Sequence, residues 1–397
     1  MMVSERRYKT LKKTIALILV CTILCVTALL LGSCGSEKYD DIEKIDTEFK
    51  GTTLYVYNWG EYISDGEDGS MDLVKVFEQI YDIDVVYTTY GSNEELYAKL
   101  SSGTVSYDLI IPSDYMISRL IEEDYLQKIN FDHIPNYKNI ADTYKYNQYF
   151  DKGGKDGAAE YSIPYTVGLI GIIYNTQYVA EEDVEDQSWD LLWNEKYKGK
   201  LLNFDNSRDA FGVAMFKNGL DVNSTDPDVW NQAYESLLAQ KPLLKGWVMD
   251  QVFDEMEGGN AYAATYYAGD CITMMENNED LAFYYPKEGN NLFVDSMCIP
   301  KSASNVGAAE LFINFLLEEE YAIENSLYIC YASPNKAVFE SDTYKEELGE
   351  DYYKVLYDVP EQYKSADGSF NLSVAQYYYN LDADTKALIS SLWDKVK

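Results

Sequence analysis

Apolar positions over the first hundred-odd residues after an N-terminal hydrophobic run switch repeatedly between two periods. Thr53-Leu-Tyr-Val-Tyr57 is β-branched and aromatic and reads as a buried strand. Between Met71 and Ile80, Leu73, Val74, Phe77 and Ile80 share one helical face. Asp84-Val-Val-Tyr-Thr88 reads as a second strand. Asn93–Leu100 reads as a helix with Ser92 or Asn93 as its cap and Glu94 and Glu95 in its first turn. Asp108-Leu-Ile-Ile111 is a third strand stopped by Pro112, and Met116–Glu123 a third helix. The β-α-β-α-β-α order predicts a mostly parallel sheet with helices on its faces.

Residues 130–160 read as loop, with glycines at 153, 154 and 157. Tyr161-Ser-Ile-Pro-Tyr-Thr-Val-Gly168 then leads into Leu169–Tyr174, and a proline and glycines beside a strand suggest a crossover between lobes. A second α/β region follows, with helices expected at 209–218, 228–239 and 250–257 and strands at 201–204, 261–266 and 282–285. Asp295–Pro300 reads as a short returning strand, Ala308–Glu319 as an amphipathic helix, and 342–397 as an acidic, tyrosine-rich tail of helical pattern. This predicts an α/β protein of two lobes: 51–166 with 294–332, and 167–293 with 333–397.

The N-terminus has a different character. Arg6, Arg7, Lys9, Lys12 and Lys13 precede an apolar run from Ile15 to Leu31, which ends in Leu31-Gly32-Ser33-Cys34. Small residues just before a cysteine give a signal peptidase access to the backbone, so 1–33 reads as a cleaved export signal. The boundary resembles the bacterial lipobox, which implies lipidation of Cys34. An uncleaved anchor is the alternative, since 17 apolar residues just span a bilayer. Residues 34–50 read as a polar tether. Either way the remainder lies outside the cytoplasm, held at the membrane surface.

Charge narrows the chemistry. The 397 residues carry 32 Lys+Arg against 67 Asp+Glu, a formal charge of −35. Removing 1–33 takes away five basic residues and one acidic, leaving 27 and 66, or −39. No basic face is available for nucleic acid. The single histidine, His133, falls in a polar loop and reads as a surface residue, which removes histidine-based catalysis and most metal sites. Of six cysteines, Cys271, Cys298 and Cys330 remain beyond Cys34; they form at most one disulfide, and their apolar neighbours favour buried thiols. Tyrosine is abundant, at 38 residues, and supplies flat faces with polar tips.

In an open α/β sheet, ligands sit beyond the carboxyl ends of the strands. Here the exits are Asn58-Trp59-Gly60-Glu61-Tyr62, Pro112-Ser113-Asp114-Tyr115, Asp205-Asn206-Ser207-Arg208-Asp209, Tyr267-Ala268-Gly269-Asp270 and Phe293-Val294-Asp295. Nearly all set an aromatic ring beside a carboxylate or hydroxyl. Rings stack on alkyl chains and face ammonium groups, while carboxylates accept charge-assisted hydrogen bonds. Any one exit could be an ordinary capped turn. Five of similar chemistry fit an elongated polycation.

Tyr55-Val-Tyr-Asn-Trp-Gly-Glu-Tyr62, Tyr107-Asp-Leu-Ile-Ile-Pro-Ser113, Tyr161-Ser-Ile-Pro-Tyr165, Tyr284-Tyr-Pro-Lys-Glu-Gly289, Asp295-Ser-Met-Cys-Ile-Pro300 and Tyr331-Ala-Ser-Pro-Asn335 resemble, in order, the motifs of bacterial spermidine/putrescine-binding proteins, the receptors of polyamine ABC transporters. The resemblance covers about 52–340. It implies a two-lobed periplasmic-binding-protein fold of type II, with mixed, mostly parallel sheets and a hinge of two crossover segments. It also implies a monomeric receptor without cofactor that delivers its ligand to permease subunits. Carried over by motif, Trp59, Tyr62, Tyr115, Tyr267, Phe293 and Tyr331 would be aromatic walls, Ser113 a polar contact, and Asp209, Asp295 and Asp270 the ammonium holders, with Glu61 a further acidic contact. The chain departs from the pattern at Gly60, Asn206, Tyr267 and Phe293, which leaves putrescine against spermidine open. Asp114, outside the carried-over contacts, is expected to matter little.

The alternatives differ in class. Tyr266-Tyr267 resembles the phenolate pair of ferric-iron receptors of the same fold. An extracellular hydrolase could pair Asp205 with Asp209 or Asp270 with Asp295. No Gly-x-Ser-x-Gly, His-Glu-x-x-His or serine–histidine pairing supports an enzyme. A sensing ectodomain would use the same site, but no second signalling domain is visible.

Overall fold

The computed structural model describes residues 42–145, 149–151, 153, 159–366 and 369–397. The expected signal and Cys34 lie outside them. Ten strands pair along the order β2-β1-β3-β9-β4-β7-β5-β6, with β10 beside β9 and β8 beside β4. They are β1 Thr53–Trp59, β2 Asp84–Tyr90, β3 Leu109–Ile110, β4 Ser162–Asn175, β5 Leu201–Phe204, β6 Leu244–Val248, β7 Ala263–Tyr267, β8 Leu281–Tyr284, β9 Asn290–Cys298 and β10 Ala375–Gln376.

At one end β1 runs parallel to β2 and β3, and at the other β5 runs parallel to β6 and β7. Between them lies β4, 14 residues long. Its first half, 162–169, pairs antiparallel with β9, while its second half, 170–175, pairs with β7 and β8. The segment read as a crossover leading into a strand is therefore one continuous strand. Pro164 is accommodated where the pairing shifts between Pro164 and Thr166. Gly168 and Gly171 are required by packing: a Cβ on Gly168 would stand 2.3 Å from the Phe293 ring, and one on Gly171 2.2 Å from that of Phe283.

Helices fall close to their expected positions: α1 Leu73–Tyr81, α2 Asn93–Ser101, α3 Asp114–Glu122, α4 Ser207–Lys217, α5 Pro227–Gln240 and α6 Gln251–Glu257. Ser92, not Asn93, caps α2, accepting from Glu95 N at 3.2 Å. Asn93 instead braces Ser113, donating to its hydroxyl at 3.0 Å and accepting its N–H at 3.1 Å. Further helices are α7 Ala268–Asn277, α8 Val306–Leu316 and α9 Glu319–Ile329. The tail is helical only in part, at α10 Asp342–Leu348, α11 Glu350–Tyr357 and α12 Ala383–Val396.

Leu54, Phe77, Leu109 and Phe312 belong to a core at the β1 end, and Trp189, Phe204, Phe211 and Trp230 to one at the β5 end. Each such side chain contributes about 1.5–3 kcal/mol when fully buried. The α12 residues Ile389, Leu392 and Val396 join the second core, whereas Tyr344, Leu348 and Leu356 pack with Ile272 and Ala322. Residues 42–50, expected in a tether, lie against the first core: Ile45 N donates to Ile80 O at 2.7 Å, and Phe49 packs on Gly307. Phe49 and Ile42 supply apolar surface that the polar reading of 34–50 overlooked. Cys271, Cys298 and Cys330 are buried free thiols. Burial raises the first two well above the usual range and the third to about 12, so they are unreactive. His133 is largely exposed, with Nδ1 2.6 Å from Glu310 Oε2.

Candidate functional site

The parallel strands at both ends exit toward one cleft. All eleven residues singled out line it: Trp59, Glu61, Tyr62, Ser113, Tyr115, Asp209, Tyr267, Asp270, Phe293, Asp295 and Tyr331. They come from β1 and the turn that follows it, from the β3–α3 turn and the first turn of α3, from the first turns of α4 and α7, from β7 and β9, and from the segment after α9.

Rings wall the cleft edge to face. Tyr62 meets Tyr331 at 4.9 Å and Tyr267 meets Phe293 at 5.5 Å between centroids. Trp59 tilts over Tyr90 at 4.6 Å and is fixed by its indole N–H donating to Ile111 O at 2.9 Å. Tyr331 can lie flat on α7 because residue 269 is glycine: a Cβ there would come within 2.4 Å of the ring. Glu61 has φ of 50°, in the left-handed region, where the chain leaves β1.

Asp295 lies at the centre and is 5 % exposed. Tyr62 donates to its Oδ2 at 2.8 Å, and Tyr62 also meets Thr166 Oγ1 in a short contact. Oδ1 is buried with no hydrogen-bond partner among the described residues. Burial pushes its carboxyl up to about 6, against the Ser113 and Tyr62 hydroxyls, and nearby Asp209 adds to the rise. Asp209 accepts from Tyr267 OH at 2.7 Å and from Asn206 Nδ2 at 2.8 Å, and Asn206 Oδ1 accepts from Asp209 N at 2.8 Å as the cap of α4. Burial raises Asp209, while these donors and Arg208 hold it down. Asp270 accepts from Tyr331 OH at 2.8 Å. Burial raises it to about 7, and Asp250 and Glu61 add to the rise.

Other residues line the cleft as well. Asp114 is 1 % exposed and accepts from Val294 N at 3.2 Å, so the expectation that it is a bystander does not match its position. Burial places its carboxyl well above the usual range. Glu94 receives the Tyr115 hydroxyl at 3.0 Å. Asp250 follows β6, a strand that the sequence pattern does not predict. Tyr378 enters from the C-terminal segment, where the tyrosine run Tyr377-Tyr378-Tyr379 was a visible signal with no strand to anchor it. The Tyr266 and Tyr267 hydroxyls each donate to a carboxylate, Asp250 at 3.4 Å and Asp209 at 2.7 Å, and burial raises both phenols well above 10. Iron needs phenolates, so this geometry opposes the ferric reading.

The chain is similar to known solute-binding proteins over most of its length. Residues 72–349 match the family described as bacterial extracellular solute-binding protein. The spermidine/putrescine-binding periplasmic protein of Escherichia coli K12 is 31 % identical over 367 residues, covering 91 % of this chain and 97 % of that protein. A putrescine/cadaverine-binding protein of Pseudomonas aeruginosa is 31 % identical over 296 residues, 72 % of this chain and 80 % of its own. The structure of a putative spermidine/putrescine ABC transporter from Listeria monocytogenes superposes with a TM-score of 0.75 and 31 % identity, over 87 % of this chain and 98 % of that one. A Treponema pallidum lipoprotein superposes with a TM-score of 0.69 at 26 % identity, over 87 % and 99 %. Fold and cleft thus define an extracytoplasmic solute-binding protein of the α/β periplasmic-binding-protein fold, a binding protein and not an enzyme. Within that class the chain belongs to the family of spermidine/putrescine-binding proteins.

Proposed function

We propose that this protein is the polyamine receptor of an ABC transporter, taking spermidine or putrescine into the cleft and passing it to permease subunits. The observation that carries this reading is Asp295 Oδ1, a buried carboxylate oxygen with no partner among the described residues, set between the rings of Tyr62, Phe293 and Tyr267. Such an oxygen is costly unless a donor arrives, and an ammonium group supplies charge and hydrogen bond together. Asp209 and Asp270 hold further ammonium groups, Ser113 and Glu61 make polar contacts, and Trp59, Tyr62, Tyr115, Tyr267, Phe293 and Tyr331 stack on the methylenes. The relatives named for spermidine, putrescine and cadaverine support the ligand class.

The lobes 51–166 with 294–332 and 167–293 with 333–397 close on the ligand about the β4 and β9 crossovers, and the receptor acts as a monomer held to the membrane by lipid on Cys34. Titration calorimetry of the signal-less protein with spermidine, putrescine, cadaverine, thiamine and ferric citrate tests the function. Heat from the polyamines alone supports it; binding of ferric citrate and no polyamine overturns it. Replacing Cys34 with Ala should abolish lipid labelling of the expressed protein.

A further inference from the structure

Arg208 occupies a place that every local preference opposes. It lies in the first turn of α4, the helix end that disfavours cations, and is 5 % exposed. No carboxylate lies within ion-pair distance of its guanidinium among the described residues. Its hydrogen bonds go to neutral acceptors, Val222 O at 2.9 Å and Asn223 Oδ1 at 3.0 Å, and Nε is buried with no partner among the described residues. The guanidinium lies over the Tyr378 ring at 4.1 Å, with Trp230 at 5.5 Å. Buried charges without a paired counter-charge are rare, so a compensating field is required.

That field comes from the cleft. The groups acting on Arg208 are Asp209 on its own helix, Asp114 and Tyr115 on α3, and Tyr378 on the C-terminal segment; it acts in turn on Glu94 of α2. We infer that Arg208 is a resident counter-cation of the cleft, which opposes protonation of Asp209 and Asp114 while no ligand is bound and so sets the acidic limit of polyamine binding. Its influence opposes the rise that burial imposes on Asp209, Asp114 and Glu94 alike. Arginine suits the task because it keeps its proton when buried and stacks flat on a ring, where lysine would shed charge.

The inference rests on the polyamine reading, and the two fail differently. If the parent protein binds no polyamine, the functional reading falls. If it binds and the Arg208 variants behave as the parent does, only the counter-cation role falls. Spermidine dissociation constants are measured by calorimetry from pH 5.5 to 8.5 for the parent, Arg208→Gln and Arg208→Lys. Neutralising Arg208 should move the pH below which affinity collapses upward by roughly one unit. It should weaken binding about tenfold or more at pH 6 and less than about threefold at pH 8.5. Arg208→Lys should fall between the two. An equal loss at both pH values, or none at either, overturns the proposal, since a packing role would not depend on pH. Should Arg208→Gln not fold, Arg208→Lys carries the test: its loss of affinity should be larger at pH 6 than at pH 8.5, and an equal loss at both refutes the role.

Discussion

The two ends of the cleft use the same residue types and differ in what stands behind them. At one end Asp209 is braced by Tyr267 and Asn206 and faces a buried guanidinium. At the other, Asp270 has the Tyr331 hydroxyl, and its charged neighbours are Asp250 and Glu61. Two carboxylates about 6 Å apart repel by roughly 3 kcal/mol at an effective dielectric near 20, so a polycation site cannot be fully ionised and empty without help. The Asp209 end has a built-in cation for that purpose. The Asp270 end holds its proton up to about pH 7. On the proposed reading, an arriving ammonium group meets a carboxylate with a cation behind it at one end and displaces a proton at the other.

The largest test concerns the residue between these stations. Asp295→Asn keeps the shape and removes the charge on which both ends converge. A charge-assisted hydrogen bond is worth about 1.5–3 kcal/mol, and stripping one partner from a buried pair costs more. We expect affinity to fall by at least roughly 2 kcal/mol, about thirtyfold, in calorimetry at physiological salt. Unchanged affinity would show that neither end is built as described. Next in size is Asp209→Asn, at about tenfold near pH 7.5. Because Arg208 opposes the rise that burial imposes on Asp209, this loss should shrink less toward pH 6 than that of Asp270→Asn.

How much of this could be read beforehand differs by element. Strand 201–204 was legible to the residue, because Gly199 and the polar run 205–209 bracket four apolar-rich positions. Strand β4 was read in two pieces, because Pro164 and Gly168 carry the signature of breaks. Its glycines serve ring packing across the sheet, which no local pattern encodes. The site followed the same rule. The eleven residues singled out as candidate contacts line the cleft. Asp250, Glu94 and Tyr378 are missed because they arrive from a strand the pattern does not predict, a helix turn that looks like dipole compensation, and a tail whose two-residue strand β10 is too short to show a pattern. Arg208 was visible in its motif, but its burial among neutral acceptors depends on Val222, Asn223 and Tyr378, which only the fold brings together.

The Asp270 end sharpens the comparison through pH. Asp270→Asn should weaken spermidine binding about fivefold at pH 8 and hardly at all at pH 6, where the parent carboxyl is already protonated. Stability should move the other way. A carboxyl whose folded pKa is raised binds more protons folded than unfolded, so the ligand-free protein loses stability as pH climbs from about 4 through 7. Asp270→Asn removes that loss, and the ligand-free variant should melt roughly 2 °C above the parent at pH 8. A calorimetric scan showing a lower midpoint would mean that Asp270 is ionised in the empty cleft and that the two ends do not differ.

The smallest expected effect separates the cleft from the diffuse field of the whole chain. Asp205 lies four residues before Asp209 but is exposed and forms an ion pair with Lys397. Asp205→Asn removes one charge of a molecule carrying a large acidic excess, without touching either station. At physiological ionic strength, charges more than about 8 Å from the ligand are screened, so affinity should change by less than about twofold. In dilute buffer the screening length grows to about 30 Å at 0.01 M, and the same substitution should slow association slightly. Equilibrium titrations at both salt concentrations distinguish the cases. A loss at physiological salt comparable to that of Asp209→Asn would mean that binding follows net charge near the cleft mouth, and the contrast between its two ends would then have no bearing on affinity.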